Sequence, residues 1–143
     1  MLLVDANVLL HAINRNAREH DAASAWLGGA LSGGEAVAFA WTVILAFLRL
    51  STHQAIFPRP LDARQAGDAV EAWLDAGPAV TIDPTRRHLP LVRGLLEEAG
   101  TAGNLVGDAH LAALALEHDA TIVSFDRDFA RFQGVAVRRP GLS

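Results

Sequence analysis

The chain has 143 residues, 51% of them hydrophobic and 20% charged, which predicts one domain over residues 1–143 with a substantial core and excludes intrinsic disorder. It contains no cysteine, which excludes disulfides, thiolate metal sites and cysteine nucleophiles. The formal net charge is −4, which argues against a domain that reads DNA through an overall basic field.

The apolar segments are those of a water-soluble fold. The longest, residues 37–41 and 43–48, are far shorter than the roughly 18 residues that a membrane helix needs. No basic residues precede the first apolar stretch, as they do in a signal peptide. We therefore expect a cytoplasmic protein.

Short apolar strands alternate with helices along the chain. In order, the predicted elements are a strand at 2–4, helices at 6–13 and 18–31, a strand at 37–40, a helix at 41–50, a helix capped by Asp62 and running to Asp75, a strand at 80–82, helices at 89–99 and 104–118, a strand at 121–124, a short helix at 126–132 and an edge strand at 135–137. This alternation predicts an α/β fold, a three-layer α/β/α sandwich around a mainly parallel sheet of roughly four to five strands.

Acidic residues follow two of these strands. Asp5 comes directly after the first, and Asp126 and Asp128 come after the fourth. Asp108 lies in the first turns of a very apolar helix, and Asn104, four residues earlier, is expected on the same helix face. Carboxylates that converge at the carboxyl ends of parallel strands repel one another unless a cation neutralises them, and oxygen ligands favour Mg²⁺ or Mn²⁺. The pattern favours a divalent metal site.

Simpler interpretations of the same residues remain open. Asp5 and Asp126 each precede a predicted helix and would serve there as N-caps. An acid early in a helix, such as Asp108, also suits the helix dipole. Arg49 ends an apolar helix and would reach the crevice to hold a phosphate, or else stay solvated at the surface.

The remaining polar residues form no known catalytic motif. No pair of histidines has the spacing and carboxylate company of a zinc site, and His110 is expected to point away from the face of Asp108. No serine, Ser124 included, lies in a nucleophile elbow, which argues against a serine hydrolase. The three tryptophans lie at helical spacing, typical of core or subunit-interface positions.

Three segments resemble the motifs of PIN-domain ribonucleases. They are LVDANVLL at 3–10, NLVGDAHLAALA at 104–115 and SFDRDFARF at 124–132. The similarity spans essentially the whole chain and is closest to the toxins of VapBC-type toxin–antitoxin pairs, including a Phe-Leu-Arg-Leu helix at 47–50. It implies a PIN-like fold and a metal-dependent endoribonuclease toxin that cuts a structured RNA, such as tRNA or rRNA, and halts translation.

The resemblance also implies roles and partners. Asp5, Asp108 and Asp126 would bind Mg²⁺ (or Mn²⁺) directly or through water, and Asp128 would be a fourth ligand or would contact the ligands from behind. Asn7 and Asn104 would orient the carboxylates, and Arg49 would hold the scissile phosphate. The implied partners are an RNA substrate, a cognate VapB-type antitoxin and a second copy of the chain. Trp41 and the Ile44, Phe47 and Leu48 side of the third helix would provide an apolar patch for one of the protein partners, or else that helix would be buried in the monomer.

One position departs from the family pattern. The wider family places a glutamate three residues before the arginine that corresponds to Arg49, and this chain has Ala46 there. One bound cation is therefore expected more firmly than two. The alternatives are a degenerate PIN domain that only binds, which Ala46 favours, or another Mg²⁺-dependent phosphoryl hydrolase. A phosphatase with an aspartate nucleophile would need a second aspartate where this chain has Asn7.

Overall fold

The computed structural model describes residues 1–141 and has five strands and six α-helices there. The strands are β1 (Leu2–Val4), β2 (Val37–Ala40), β3 (Ala79–Ile82), β4 (Thr121–Val123) and β5 (Val137–Arg138). The helices are α1 (Ala6–Ile13), α2 (His20–Leu31), α3 (Trp41–Ser51), α4 (Ala63–Leu74), α5 (His88–Ala99) and α6 (Val106–His118), with 3₁₀ helices at Gly103–Leu105 and Arg127–Arg131.

The strands form one parallel sheet in the order β3-β2-β1-β4-β5. Leu3 at its centre pairs with Ala38 of β2 on one side and Ile122 of β4 on the other. Helix α1 packs against both α2 and α3, and α3 packs against α4, whereas α5 and α6 pair with each other. The predicted α/β/α architecture and parallel sheet are confirmed.

The central strands are apolar because helices cover both faces of the sheet there. Every residue of β1 and β2 is buried, as expected for parallel strands covered on both faces. Helix α6 is buried over Leu111–Ala115, where its alanines allow close packing against the sheet. None of the helices within residues 1–141 is both long and apolar enough to cross a membrane.

Several element predictions differ from the structure in detail. The helix predicted from residue 104 begins at Val106, because residues 103–105 form a 3₁₀ helix directly before it. Asn104 therefore lies in the preceding 3₁₀ turn and not on the α6 face of Asp108. The segment after β4 is a 3₁₀ helix, and the last strand pairs at Val137 and Arg138 rather than over 135–137.

On α3 the structure supports the alternative, burial in the monomer, for Ile44 and Phe47, and leaves Trp41 of the predicted patch exposed. Ile44 and Phe47 are 2% and 0% exposed, because they pack into the core of the monomer. The large apolar side chains that α3 leaves exposed are Trp41 and Leu45, at 51% and 58%. They are four residues apart and so share a helix face.

Polar side chains join α5 to α6 on the other side of the molecule. The ring of His88 bonds the covered carboxylate of Glu117 at 2.6 Å through Nδ1 and the ring of His110 at 2.7 Å through Nε2. The backbone N–H of Thr85 also donates to Glu117, at 2.9 Å. Two of the histidines thus have packing roles between helices.

Candidate metal centre

The centre of the sheet is a topological switch point. From β1 the chain passes to β2 and β3 on one side, and later returns to β4 and β5 on the other. Such a reversal leaves a crevice outside the carboxyl ends of the two central strands, which is where open α/β sheets bind ligands. Asp5 directly follows β1, and Ser124 to Asp128 follow β4, so both segments border this crevice.

Three carboxylates meet there. Asp108, Asp126 and Asp128 each present an oxygen, and these three oxygens lie within 4.8 Å of one another. Asp108 comes from the first turn of α6 and the other two from the segment after β4, so the group forms only when α6 packs on the sheet. Asp128 is exposed, and the other two are partly buried.

Burial and neighbouring charges disfavour the ionised form of Asp108. Burial is the larger cause, and together with the negative charges of Asp126, Asp5 and Asp128 it raises the pKa of Asp108 to about 7. Burial also raises the pKa of Asp5, against hydrogen bonds from Ser124 and the N–H of Ala6. A divalent cation relieves such repulsion, and carboxylate oxygens are the donors that Mg²⁺ and Mn²⁺ prefer. The residues present therefore fit either ion.

Asp5 lies beside the group of three rather than within it. Its Oδ1 accepts from the N–H of Ala6 at 2.7 Å, and its Oδ2 accepts from Ser124 Oγ at 2.7 Å and Asn7 Nδ2 at 3.3 Å. A carboxylate offers roughly four lone-pair directions, so these three bonds fix its orientation and leave acceptor capacity on Oδ1. Asp5 is held rigidly, with one oxygen still able to bind a ligand or a water.

Ser124 links the two acidic segments. Its hydroxyl donates to Asp5 Oδ2 and accepts from Asn7 Nδ2 at 3.1 Å and from the N–H of Asp126 at 2.9 Å. One donor and two acceptors are the full capacity of a hydroxyl, and the residue is only 2% exposed. The sequence shows no nucleophile motif at Ser124. The positioning role of this serine has no signal in the sequence other than its place at the end of a strand.

The capping roles predicted as alternatives are present as well. Asp5 caps α1 through the N–H of Ala6, and Asp126 caps the 3₁₀ helix through the N–H of Asp128 at 2.9 Å. Each cap uses only part of the carboxylate. The two caps therefore fix the orientation of these carboxylates, and each carboxylate keeps acceptor capacity for a cation.

A cavity of about 190 Å³ opens beside Asp5 and Asp108. Its other lining residues are small or apolar: Ala6, Thr42, Val43, Ala46, Gly107 and Leu111. Ala46 thus lines the same cavity as the two aspartates. Arg49 is exposed one turn farther along α3 and is not among the lining residues, and Asn104 is exposed in its 3₁₀ turn.

Comparison with known proteins shows the family of the chain. A family model described as PIN domain matches residues 2–135. Ribonuclease VapC37 of Mycobacterium tuberculosis is 51% identical over 140 residues, which cover 98% of this chain and 97% of that protein.

Solved structures share the fold. VapBC2 from Rickettsia felis, bound to a promoter DNA fragment, superposes with a TM-score of 0.72 at 19% identity and covers 97% of this chain and 98% of its own. VapC20 of M. tuberculosis, described as a sarcin–ricin loop cleaving toxin, gives 0.69 at 17% identity over 95% and 99% of the two chains. The chain therefore belongs to the PIN-domain family and, within it, to the VapC proteins.

Proposed function

We propose that this protein is a metal-dependent endoribonuclease, the toxin of a type II toxin–antitoxin pair, which cuts a structured RNA such as tRNA or rRNA in the cytoplasm. One observation carries the proposal: carboxylates from α6 and from the segment after β4 meet within 4.8 Å at the switch point of the sheet. The 51% identity to a protein named as a ribonuclease supports the choice of RNA as substrate.

Asp108, Asp126 and Asp128 would hold the cation, and Asp5 would reach it through Oδ1, directly or through water. When bound, Mg²⁺ or Mn²⁺ supplies a Lewis acid for the phosphate and a water of lowered pKa. The proton that the metal-free site keeps on Asp108 near neutral pH must leave as the ion binds. No acid lines the α3 side of the cavity, where Ala46 lies, so we propose one firmly held ion.

The other site residues orient these acids or bind substrate. Ser124 and Asn7 fix the direction of the Asp5 carboxylate by hydrogen bonds at 2.7 and 3.3 Å. Arg49, exposed one turn beyond Ala46, would contact a phosphate of the RNA through its planar guanidinium. For Asn104 we propose only that it borders the site, from the 3₁₀ turn before α6.

The proposed protein partners are a VapB-type antitoxin and a second copy of the chain. VapBC complexes are among the structures with this fold, and an antitoxin arginine would suit an acidic crevice by charge-assisted hydrogen bonds. For the homodimer, Trp41 and Leu45 offer the apolar face of α3 that the monomer does not cover.

The test is cleavage of total cellular RNA by purified, antitoxin-free protein in Mg²⁺, Mn²⁺ or EDTA. The matched pair of variants is Asp108→Asn and Asp119→Asn; Asp119 is an exposed acid at the other end of α6, with a φ of +52° that asparagine tolerates. Discrete fragments that require metal and Asp108 but not Asp119 are expected. Intact RNA in every lane would favour the binding-module alternative instead.

A further inference from the structure

The peptide that joins Phe125 to Asp126 is held at both ends. Its N–H, on Asp126, donates to Ser124 Oγ at 2.9 Å. Its carbonyl, on Phe125, accepts from Nη1 of Arg139 at 2.9 Å. One bond comes from within the acidic segment, whereas the other comes from a residue that follows β5, at the edge of the sheet.

Arg139 also holds the Phe125 side chain. The guanidinium carbon lies 4.9 Å from the centroid of the Phe125 ring, within the range of a cation–π contact. The ring of His11, from α1, approaches Phe125 edge-on at 5.3 Å. Asn7 completes the arrangement by accepting a hydrogen bond from the N–H of Phe125 at 3.2 Å. Backbone and ring of this residue are thus both fixed.

These contacts matter because the next residues carry two of the three converging acids. Asp126 and Asp128 each present an oxygen to Asp108, and the three oxygens lie within 4.8 Å of one another, so a shift of the segment would separate them. Rotation of the Phe125–Asp126 peptide would move the Asp126 carboxylate directly. A guanidinium that bonds the carbonyl and stacks on the ring opposes that rotation.

We propose that Arg139 is a positioning residue, which holds Asp126 and Asp128 in the geometry for metal binding. The inference rests on the proposed metal-dependent function. Arg138 provides the contrast: it lies in β5 and is exposed, whereas Arg139 follows the strand and is partly buried. The backbone carbonyl of Arg138 accepts from the N–H of Ser124 at 3.0 Å, but the side-chain bond to the Phe125 carbonyl comes from Arg139.

The test is calorimetric titration of Mn²⁺ into the metal-free full-length protein. Arg139→Met is expected to weaken Mn²⁺ binding about tenfold, as loss of a residue supporting metal ligands typically does. Arg139→Lys, which keeps the charge but not the planar fork, should recover only part of the affinity. Arg138→Met should bind Mn²⁺ like the wild type.

The control for a general loss of stability is Leu95→Ala. This variant removes a buried side chain of α5, outside residues 124–128, and is expected to lower stability without changing Mn²⁺ affinity. Equal Mn²⁺ affinity of Arg139→Met and the wild type would overturn the inference, as would equal weakening by Leu95→Ala. A wild-type protein that binds no Mn²⁺ would instead overturn the proposed function, together with everything that rests on it.

Discussion

Replacement of Asp108 by asparagine is expected to stabilise the metal-free protein at alkaline pH. Burial and the neighbouring carboxylates raise the pKa of Asp108 from 3.8 to about 7 in the folded state. Between these two values the folded chain keeps a proton that the unfolded chain has lost. Stability therefore falls as pH rises through this window, and the loss is complete above about pH 7.

The magnitude follows from the size of the pKa change. At about 1.4 kcal/mol for each tenfold change in the ionisation equilibrium, the upper limit is about 4 kcal/mol. Asp108 is partly exposed, and solvent screening reduces the effect, so we expect about 1–2 kcal/mol. For a chain of this length that corresponds to a rise in Tm of about 3–8 °C for Asp108→Asn.

The assay is thermal unfolding in EDTA, followed by circular dichroism, at pH 8 and pH 4.5. The variant should be the more stable protein at pH 8, and its advantage should shrink at pH 4.5, where Asp108 is protonated. Asp119→Asn is the control, because it removes an exposed carboxylate at the other end of α6. An Asp108→Asn variant that is no more stable than the wild type at pH 8 would refute the reasoning, since burial and the neighbouring charges would then not penalise the Asp108 carboxylate.

Three further outcomes are expected. Ser124→Ala should cost about 1–3 kcal/mol of stability by unfolding titration, because it leaves buried partners unpaired, whereas Ser124→Thr keeps the hydroxyl and most of the stability. Ala46→Glu should tighten Mg²⁺ binding on the order of tenfold in calorimetry, because it adds a carboxylate to the cavity beside Asp5. His88→Ala should cost about 1–3 kcal/mol by leaving Glu117 without its imidazole, with RNA cleavage unchanged at 25 °C; unchanged stability would contradict this.

The sheet and two acidic segments were predictable because their signals are local. Asp5 and the Asp126 segment directly follow buried apolar strands, and parallel strands bring such ends to one edge. The helical spacing around Asp108 likewise predicted its place on an otherwise apolar helix. Asn104 was misplaced because the helical spacing that includes it does not distinguish a 3₁₀ turn at 103–105 from the first turn of α6.

The supporting contacts were not predictable, because they join residues distant in sequence. The hydroxyl of Ser124 reaches Asp5 across 119 positions, and Arg139 reaches Phe125 across 14. No periodic sequence pattern signals either contact, and serine and arginine are both common at exposed positions. Such bonds depend on the register of β4 against its neighbours, which the fold supplies only as a whole.

The central claim is that the switch-point carboxylates hold the cation on which RNA cleavage depends. Because the chain has no cysteine, Asp108→Cys introduces a unique thiolate at this site. A thiolate is a poor ligand for Mg²⁺ and a good one for Zn²⁺. RNA cleavage by this variant should be lost in Mg²⁺ and restored by Zn²⁺. Wild-type cleavage by Asp108→Cys in Mg²⁺, or a loss that Zn²⁺ does not restore, would contradict the claim.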